Sequence, residues 1–177
     1  MARTLDFPGY ASDVIRAFFN GGVLLTTKAD DVVNSMTIGW GSIGMEWNKP
    51  IFTAYIREGR HTVSLLEKNP EFTISVPKGP AAKEILNICG SRSGRDVNKI
   101  EESGMQLVEP RVISVPAVAQ LPLTLECRVL YTQAQEIGRM LPDEQKWYPQ
   151  DKPSTFVGAN KDTHIAYYAE IVDAYLL

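Results

Sequence analysis

Long apolar runs are missing from this chain, and so are the residues that usually staple or metallate a small protein. Nowhere do the 177 residues offer the roughly 20 consecutive apolar side chains that a membrane-crossing helix needs, so no membrane partner is expected. Cysteine is limited to Cys89 and Cys127, and histidine to His61 and His164. Neither histidine joins a Cys, His or carboxylate at a zinc-ligand spacing, so no metal is expected. Charge of one sign is scarce too: the net charge of −3 argues against a nucleic-acid surface. The amino-terminal MARTLDFPGY lacks the basic-then-apolar order of a secretory signal, which makes reduced thiols and a cytoplasmic protein the expectation. A G-x-S-x-G elbow and a Walker loop are absent as well. The glycines of Gly39-Trp40-Gly41-Ser42-Ile43-Gly44 lie in a strand pattern instead of a strand-to-helix turn, which removes the case for a Rossmann loop.

What remains is an ordinary globular composition, 44% hydrophobic and 22% charged, without repeats, low-complexity tracts or a Gly/Ser/Pro-rich linker. A single domain over residues 1–177 is expected. Val14, Ile15, Phe18 and Phe19 recur at helical spacing from Asp13 to Phe19, and Asn20-Gly21-Gly22 stops that helix. Strand patterns cover Val23 to Thr27, Ser35 to Ser42, Ile51 to Ile56 and Phe72 to Val76. Polar turns separate the first three at 29–34 and 47–50. Short helices are expected from Thr62 to Asn69 and from Ala81 to Cys89, then a polar loop from Gly90 to Lys99. The segment up to Pro116 is too mixed to assign. Leu123 to Ile137 and Ile165 to Leu177 complete the strands. Many strands with few helices and no strand-helix alternation predict a mainly β, antiparallel barrel with helical additions.

Two segments carry chemistry. Arg57, Arg60, His61 and Thr62 stand just before a helix opening, where free N–H groups, arginine forks and the hydroxyl of Thr62 or Ser64 suit a phosphate. The competing reading makes Ser64-x-x-Glu67 a capping box and leaves the arginines solvated. The strand from Ser35 to Ser42 is rich in small and hydroxylated residues that let a planar ligand approach the backbone, with Trp40 or Trp47 available to pack on it. Its competing reading puts Met36, Ile38 and Trp40 in the core.

The succession Asn34-Ser-Met-Thr-Ile-Gly-Trp-Gly-Ser42, Trp47-x-x-Pro50, Ile56-Arg57-x-x-Arg60-His61-Thr62 and Phe72-Thr-Ile-Ser-Val-Pro77 resembles the flavin reductase-like, FMN-binding split-barrel family, in particular its flavoredoxin branch. Cys89-Gly90-x-x-Ser93-Gly94-Arg95-Asp96-x-x-Lys99 and the terminal His164 to Asp173 continue the likeness in order. Where members commonly carry Gly-Glu, this chain has Ala169-Glu170. The resemblance implies a six-stranded antiparallel Greek-key barrel, a homodimer and bound FMN near the subunit interface. It implies that Asn34, Ser35, Met36, Thr37, Trp40, Gly41 and Ser42 line the ring and ribityl chain. Arg57, Arg60, His61 and Thr62, with Ser64, would hold the phosphate, while Ser93, Arg95 and Lys99 cover the cofactor. His164 becomes the candidate for guiding hydride or proton transfer, and Cys89 a structural helix-end residue. The implied activities are an NAD(P)H-dependent flavin reductase, with NADH or NADPH as transient donor, or an electron carrier that serves a protein or small-molecule partner. A non-redox ligand-binding or scaffold barrel is the alternative from another class.

Overall fold

The computed structural model describes residues 6–78, 82–156 and 158–177. Its framework is one antiparallel sheet built from β1 (Val23–Ala29), β2 (Val32–Ile38), β3 (Gly41–Glu46), β4 (Lys49–Arg57), β5 (Glu71–Val76), β8 (Leu123–Ala134) and β9 (His164–Leu176). The strands lie in the order β2-β1-β5-β8-β9-β4-β3, and a two-stranded ribbon of β6 (Leu107–Val108) and β7 (Ala117–Val118) stands apart. β2 and β3 occupy the two ends of that order, yet only Gly39 and Trp40 separate them. Two linking residues span at most roughly 11 Å, so the sheet must roll until its ends meet. With β2 and β3 counted as one strand bent at that corner, the result is the six-stranded Greek-key barrel; counted by ladders, the main sheet has seven strands.

The bend corrects the single strand expected over 35–42. Pairing with β1 ends where Ile38 faces Val23, and pairing with β4 starts where Gly41 faces Ala54. The turn expected over 29–34 shrinks to Asp30 and Asp31, because Ala29 already pairs with Val32. At the β3–β4 hairpin, Trp47 and Asn48 both take positive φ (50° and 57°), the requirement of a type I′ turn. Strand β8 stops at Ala134, so Ile137 belongs to a 3₁₀ turn, Ile137–Arg139, which a second at Pro142–Trp147 follows.

Alternation along the strands makes the core. Leu25, Phe52, Phe72, Ile74, Leu125 and Ala169 point inward and are fully or almost fully buried. Helix α1 (Phe7–Phe19) adds Val14 and Ala17 to this core; it starts before Asp13 because the Asp6 carboxylate accepts from Gly9 N (3.3 Å) and Pro8 suits the first turn. Helix α2 (His61–Leu66) ends earlier than expected and adds Val63 and Leu66. Outside the barrel, α3 (Ala82–Ser91) lays Ala82, Ile85, Leu86 and Cys89 over Leu24, together with Met105, Val118 and Leu121. Ala81, expected as the start of α3, lies outside the described residues. The short α4 (Lys99–Glu102) opens on an Asn98 cap, so the loop expected to run through Lys99 ends there in a helix.

Ala169 faces Phe52 inside the core, which leaves room for its methyl group and sets this position away from either cavity described below. Glu170 ion-pairs with Lys49 at 2.5 Å. No helix among the described residues is long and apolar enough to cross a membrane.

Candidate cofactor-binding site

Two adjoining cavities open where β2, the β4–α2 loop and the end of α3 converge. The larger, about 590 Å³, is lined by Asn34, Met36 and Thr37 of β2, by Gly59 to Thr62, by Cys89 to Val97, by Lys99, and by Ser154 and Thr155 of the long β8–β9 connection. The smaller, about 220 Å³, shares Met36, Thr37 and Arg60 with it and adds Ile38, Gly39, Trp40, Tyr55, Arg57, Gly158 and His164. One end is thus cationic and hydroxylated, while the other carries the rings of Trp40, Tyr55 and His164 beside Arg57 and Arg60. β2 is an edge strand here, so its backbone groups on the side away from β1 have no ladder partner.

Local bonds fix the cationic end. Asn34 Nδ2 donates to Thr62 Oγ1 at 3.1 Å, both groups being buried. Lys99 is buried and donates from Nζ to the carbonyls of Ser35 (3.0 Å) and Cys89 (3.1 Å), which leaves one of its three N–H donors over. Burial lowers its pKa, and the nearby Arg60 adds to that effect. The 93–97 loop folds on its own hydroxyl, with Ser93 Oγ accepting from Arg95 N (3.2 Å), and Arg95 Nη1 ties it to Gly59 O (2.8 Å). Gly94 permits this approach: a Cβ there would overlap the Asn34 amide and crowd His61. His61 has a lowered pKa from burial, then from Arg95 and Lys99. The Cys89 thiol is pushed up to about 11 by burial, so it stays protonated and unreactive at neutral pH.

At the aromatic end, His164 opens β9 opposite Arg57. Its ring lies 5.2 Å from that of Trp40, and Trp147 meets Trp40 edge-on at 5.3 Å. Burial lowers the His164 pKa to about 4, helped by Arg57 and Arg60, so the imidazole is neutral at pH 7. Arg57 does not join the other arginines in the larger cavity. It is the last residue of β4, and its guanidinium donates to Trp147 O (3.1 Å), Asp162 O (2.7 Å) and Asn160 O (3.3 Å), so it anchors the β8–β9 connection.

The structure therefore gathers Asn34, Met36, Thr37, Arg60, His61, Thr62, Ser93, Arg95 and Lys99 around the larger cavity, and Trp40, Arg57 and His164 around the smaller one. Five expected residues line neither. Ser35 is fully buried, its hydroxyl bonded to Thr26 at 2.8 Å. Gly41 packs beneath Phe18, and Ser42 follows it on β3 beyond the corner. Ser64 sits inside α2 and bonds back to His61 O (2.7 Å), which also removes the capping box; the cap position is Arg60. Trp47 occupies the hairpin tip against Tyr131 (6.5 Å), outside both cavities. Sequence reading missed Tyr55, Gly59, Arg92, Ser154 and Thr155. Arg92 lay inside the recognised Cys89-to-Lys99 motif, whereas nothing in the polar 150–158 stretch pointed to the cavity.

A rolled antiparallel barrel whose strands meet at a corner bordering two adjoining cavities is a split barrel. The chain belongs to the flavin reductase like domain family, which it matches over residues 15–176. It is 33% identical over 126 residues to YddH, an uncharacterized protein of Escherichia coli, a match covering 68% of this chain and 66% of the relative. The chain spans between about half and two thirds of the length of the curated relatives it matches (54% and 66%). Among solved structures, an FMN-binding domain of a flavin reductases-like enzyme from Shewanella baltica superposes with a TM-score of 0.63 at 21% identity, over 94% of this chain and 74% of that one. The flavoredoxin of Desulfovibrio vulgaris gives 0.65 at 19%, over 88% and 68%. These likenesses establish the split-barrel fold.

Proposed function

We propose that this protein is an FMN-binding oxidoreductase, an NAD(P)H-dependent flavin reductase that passes hydride to flavin. The observation that carries this reading is the junction of the two cavities at Met36, Thr37 and Arg60, which suits a molecule with a dianionic end and a planar end. The residues present fit that group. Arg60, Arg95 and Lys99 supply positive charge, and the hydroxyls of Thr62 and Ser93 add donors for phosphate oxygens. Beyond Ser35, whose carbonyl accepts from Lys99, the outer edge of β2 offers backbone N–H and C=O groups to the polar rim of a ring, while Trp40 and Met36 offer apolar surface. Bound FMN supplies the redox chemistry as an acceptor and donor of hydride or electrons.

The chain's own residues bind, orient and shield. Each charge-assisted hydrogen bond to the phosphate contributes about 1.5–3 kcal/mol. Neutral His164 acts as a hydrogen-bonding group, since at a pKa of about 4 it carries no proton to donate as an imidazolium at pH 7. Arg57 holds the connection that walls the smaller cavity. The second reading, a flavoredoxin-like carrier that keeps its FMN and serves a protein or small-molecule partner, is favoured by the Arg95–Gly59 tie and by Ser154 and Thr155, which enclose the larger cavity. We also propose a homodimer, formed through the exposed aromatic face around Trp47 and Tyr131.

The test is the visible spectrum of the protein as purified. A flavin spectrum supports the proposal, and a colourless protein that leaves the fluorescence of added FMN unchanged overturns it. Rapid anaerobic bleaching by NADH or NADPH supports the reductase; bleaching only by a chemical reductant or a partner protein supports the carrier. Replacing Arg60 and Thr62 together by alanine is expected to lower FMN affinity at least tenfold, as the loss of about 1.5–3 kcal/mol per bond requires. Unchanged affinity would refute the phosphate assignment.

A further inference from the structure

Behind His164, which lines the smaller cavity, runs a hydrogen-bond chain that the proposed function leaves unexplained. Tyr148, at the end of the second 3₁₀ turn, is almost fully buried although the residues around it are exposed. Its hydroxyl stands 2.7 Å from Gln135 Oε1 and 2.8 Å from His164 Nδ1. An amide oxygen only accepts, so the single Tyr148 hydrogen goes to Gln135. The phenol oxygen must then accept from His164, which places that ring's proton on Nδ1. Nε2 becomes the unprotonated nitrogen, and it has no hydrogen-bond partner among the described residues. The Arg57 guanidinium stacks over the Tyr148 ring, 5.1 Å from its centroid.

We propose that Tyr148 is a positioning residue: it holds His164 as the Nδ1–H tautomer, so that Nε2 faces the smaller cavity as an acceptor for a reaction partner bearing an amide N–H or a hydroxyl. The inference rests on the proposed function, with the flavin ring at the junction of the two cavities and the redox partner meeting it from the smaller one. The low pKa of His164 supports it, because a ring that stays neutral has a tautomer to be fixed. With a protonated Nε2 the same cavity would instead favour partners that offer a carbonyl or carboxylate, so this hydrogen-bond chain sets the polarity of recognition.

The chain's two histidines make the test direct. Nitrogen NMR of the full chain labelled with ¹⁵N-histidine, with His61→Gln used to assign the signals, reads the tautomer of His164 whether or not flavin is bound. Wild type is expected to show the Nδ1–H pattern. Gln135→Leu leaves Tyr148 in place but frees its hydrogen to point at Nδ1, and is expected to shift His164 to the Nε2–H form; Tyr148→Phe is expected to relax the preference. A wild-type Nε2–H ring overturns the proposal, and so does a tautomer unchanged in both variants. Where flavin is bound, Tyr148→Phe is expected to raise KM for an amide-bearing nicotinamide donor about 3–10-fold, the worth of one hydrogen bond, with flavin occupancy unchanged. An unaltered KM also counts against the proposal. A protein that binds no flavin would defeat the functional reading while the nitrogen signals still decide this one.

Discussion

Single side chains in this barrel do structural work that their chemistry would not announce. Glu126 is fully buried, yet no cation faces it at ion-pair distance among the described residues. Its carboxylate accepts instead from the backbone N–H groups of Arg111 (2.6 Å), Val112 (2.7 Å) and Ile113 (3.0 Å) and from the Tyr175 hydroxyl (2.9 Å), pinning an irregular segment to β8. Removing it strands four donors at once, of which Ile113 N–H and the Tyr175 hydroxyl are buried. Glu126→Ala is therefore expected to destabilise the fold by about 3 kcal/mol or more, and Glu126→Gln by less, as read from urea midpoints. A loss below about 1 kcal/mol in the alanine variant would contradict this accounting. Lys99 teaches the same lesson. In the sequence it stands in a charged, polar run, where solvation is the natural expectation; the fold buries it because two backbone carbonyls from different elements accept its protons. Long-range partners of this kind have no periodicity, so they cannot be read from spacing.

Elements were legible where local pattern and tertiary role agree. Val23 to Thr27, Ile51 to Ile56 and Phe72 to Val76 are β-branched or aromatic runs, and each is a central strand buried on its inner face. The barrel corner was not, because alternation continues through Gly39 and Trp40 although the chain changes ladder there. Nor was the β8–β9 connection legible: it has no repeating pattern, and only the Arg57 fork shows what holds it. Of the site elements, the 93–97 loop depends most on one residue. Gly94 lies so near the Asn34 amide that a methyl group must displace either the loop or Asn34, whose bond to Thr62 then breaks. Gly94→Ala is expected to weaken FMN binding about tenfold, with a stability loss of only about 1 kcal/mol, since one hydrogen bond is at stake. Titration with FMN beside thermal melting checks this, and affinity equal to wild type would show that the loop does not shape the site.

At the scale of the whole molecule, the surface that matters is aromatic and exposed. Trp47 is 53% exposed, Met45 64% and Tyr131 48%, and Trp47, Tyr131 and Tyr168 form a chain of ring contacts at 6.5 and 5.5 Å. Isolated apolar side chains on a surface need no explanation, but a contiguous aromatic cluster at a hairpin tip is the composition of an interface core. A stable dimer needs about 800 Å² from each partner, more than these side chains offer alone, so the outer half of β8 must take part. That half, from Arg128 to Ala134, is largely solvent-exposed as the chain stands. The protein is accordingly expected to sediment at twice its chain mass of 19.7 kDa. Trp47→Glu combined with Tyr131→Glu is expected to yield monomers, because burying two carboxylates against a partner's aromatic face costs several kcal/mol. Wild-type monomers, or dimers in the double variant, would refute the assignment. β4 separates Trp47 from Arg57 by its whole length, roughly 27 Å, and Tyr131 lines neither cavity. Loss of flavin in the monomeric variant would then mean that the partner subunit completes the site, whereas retained flavin would mean that each barrel holds its own.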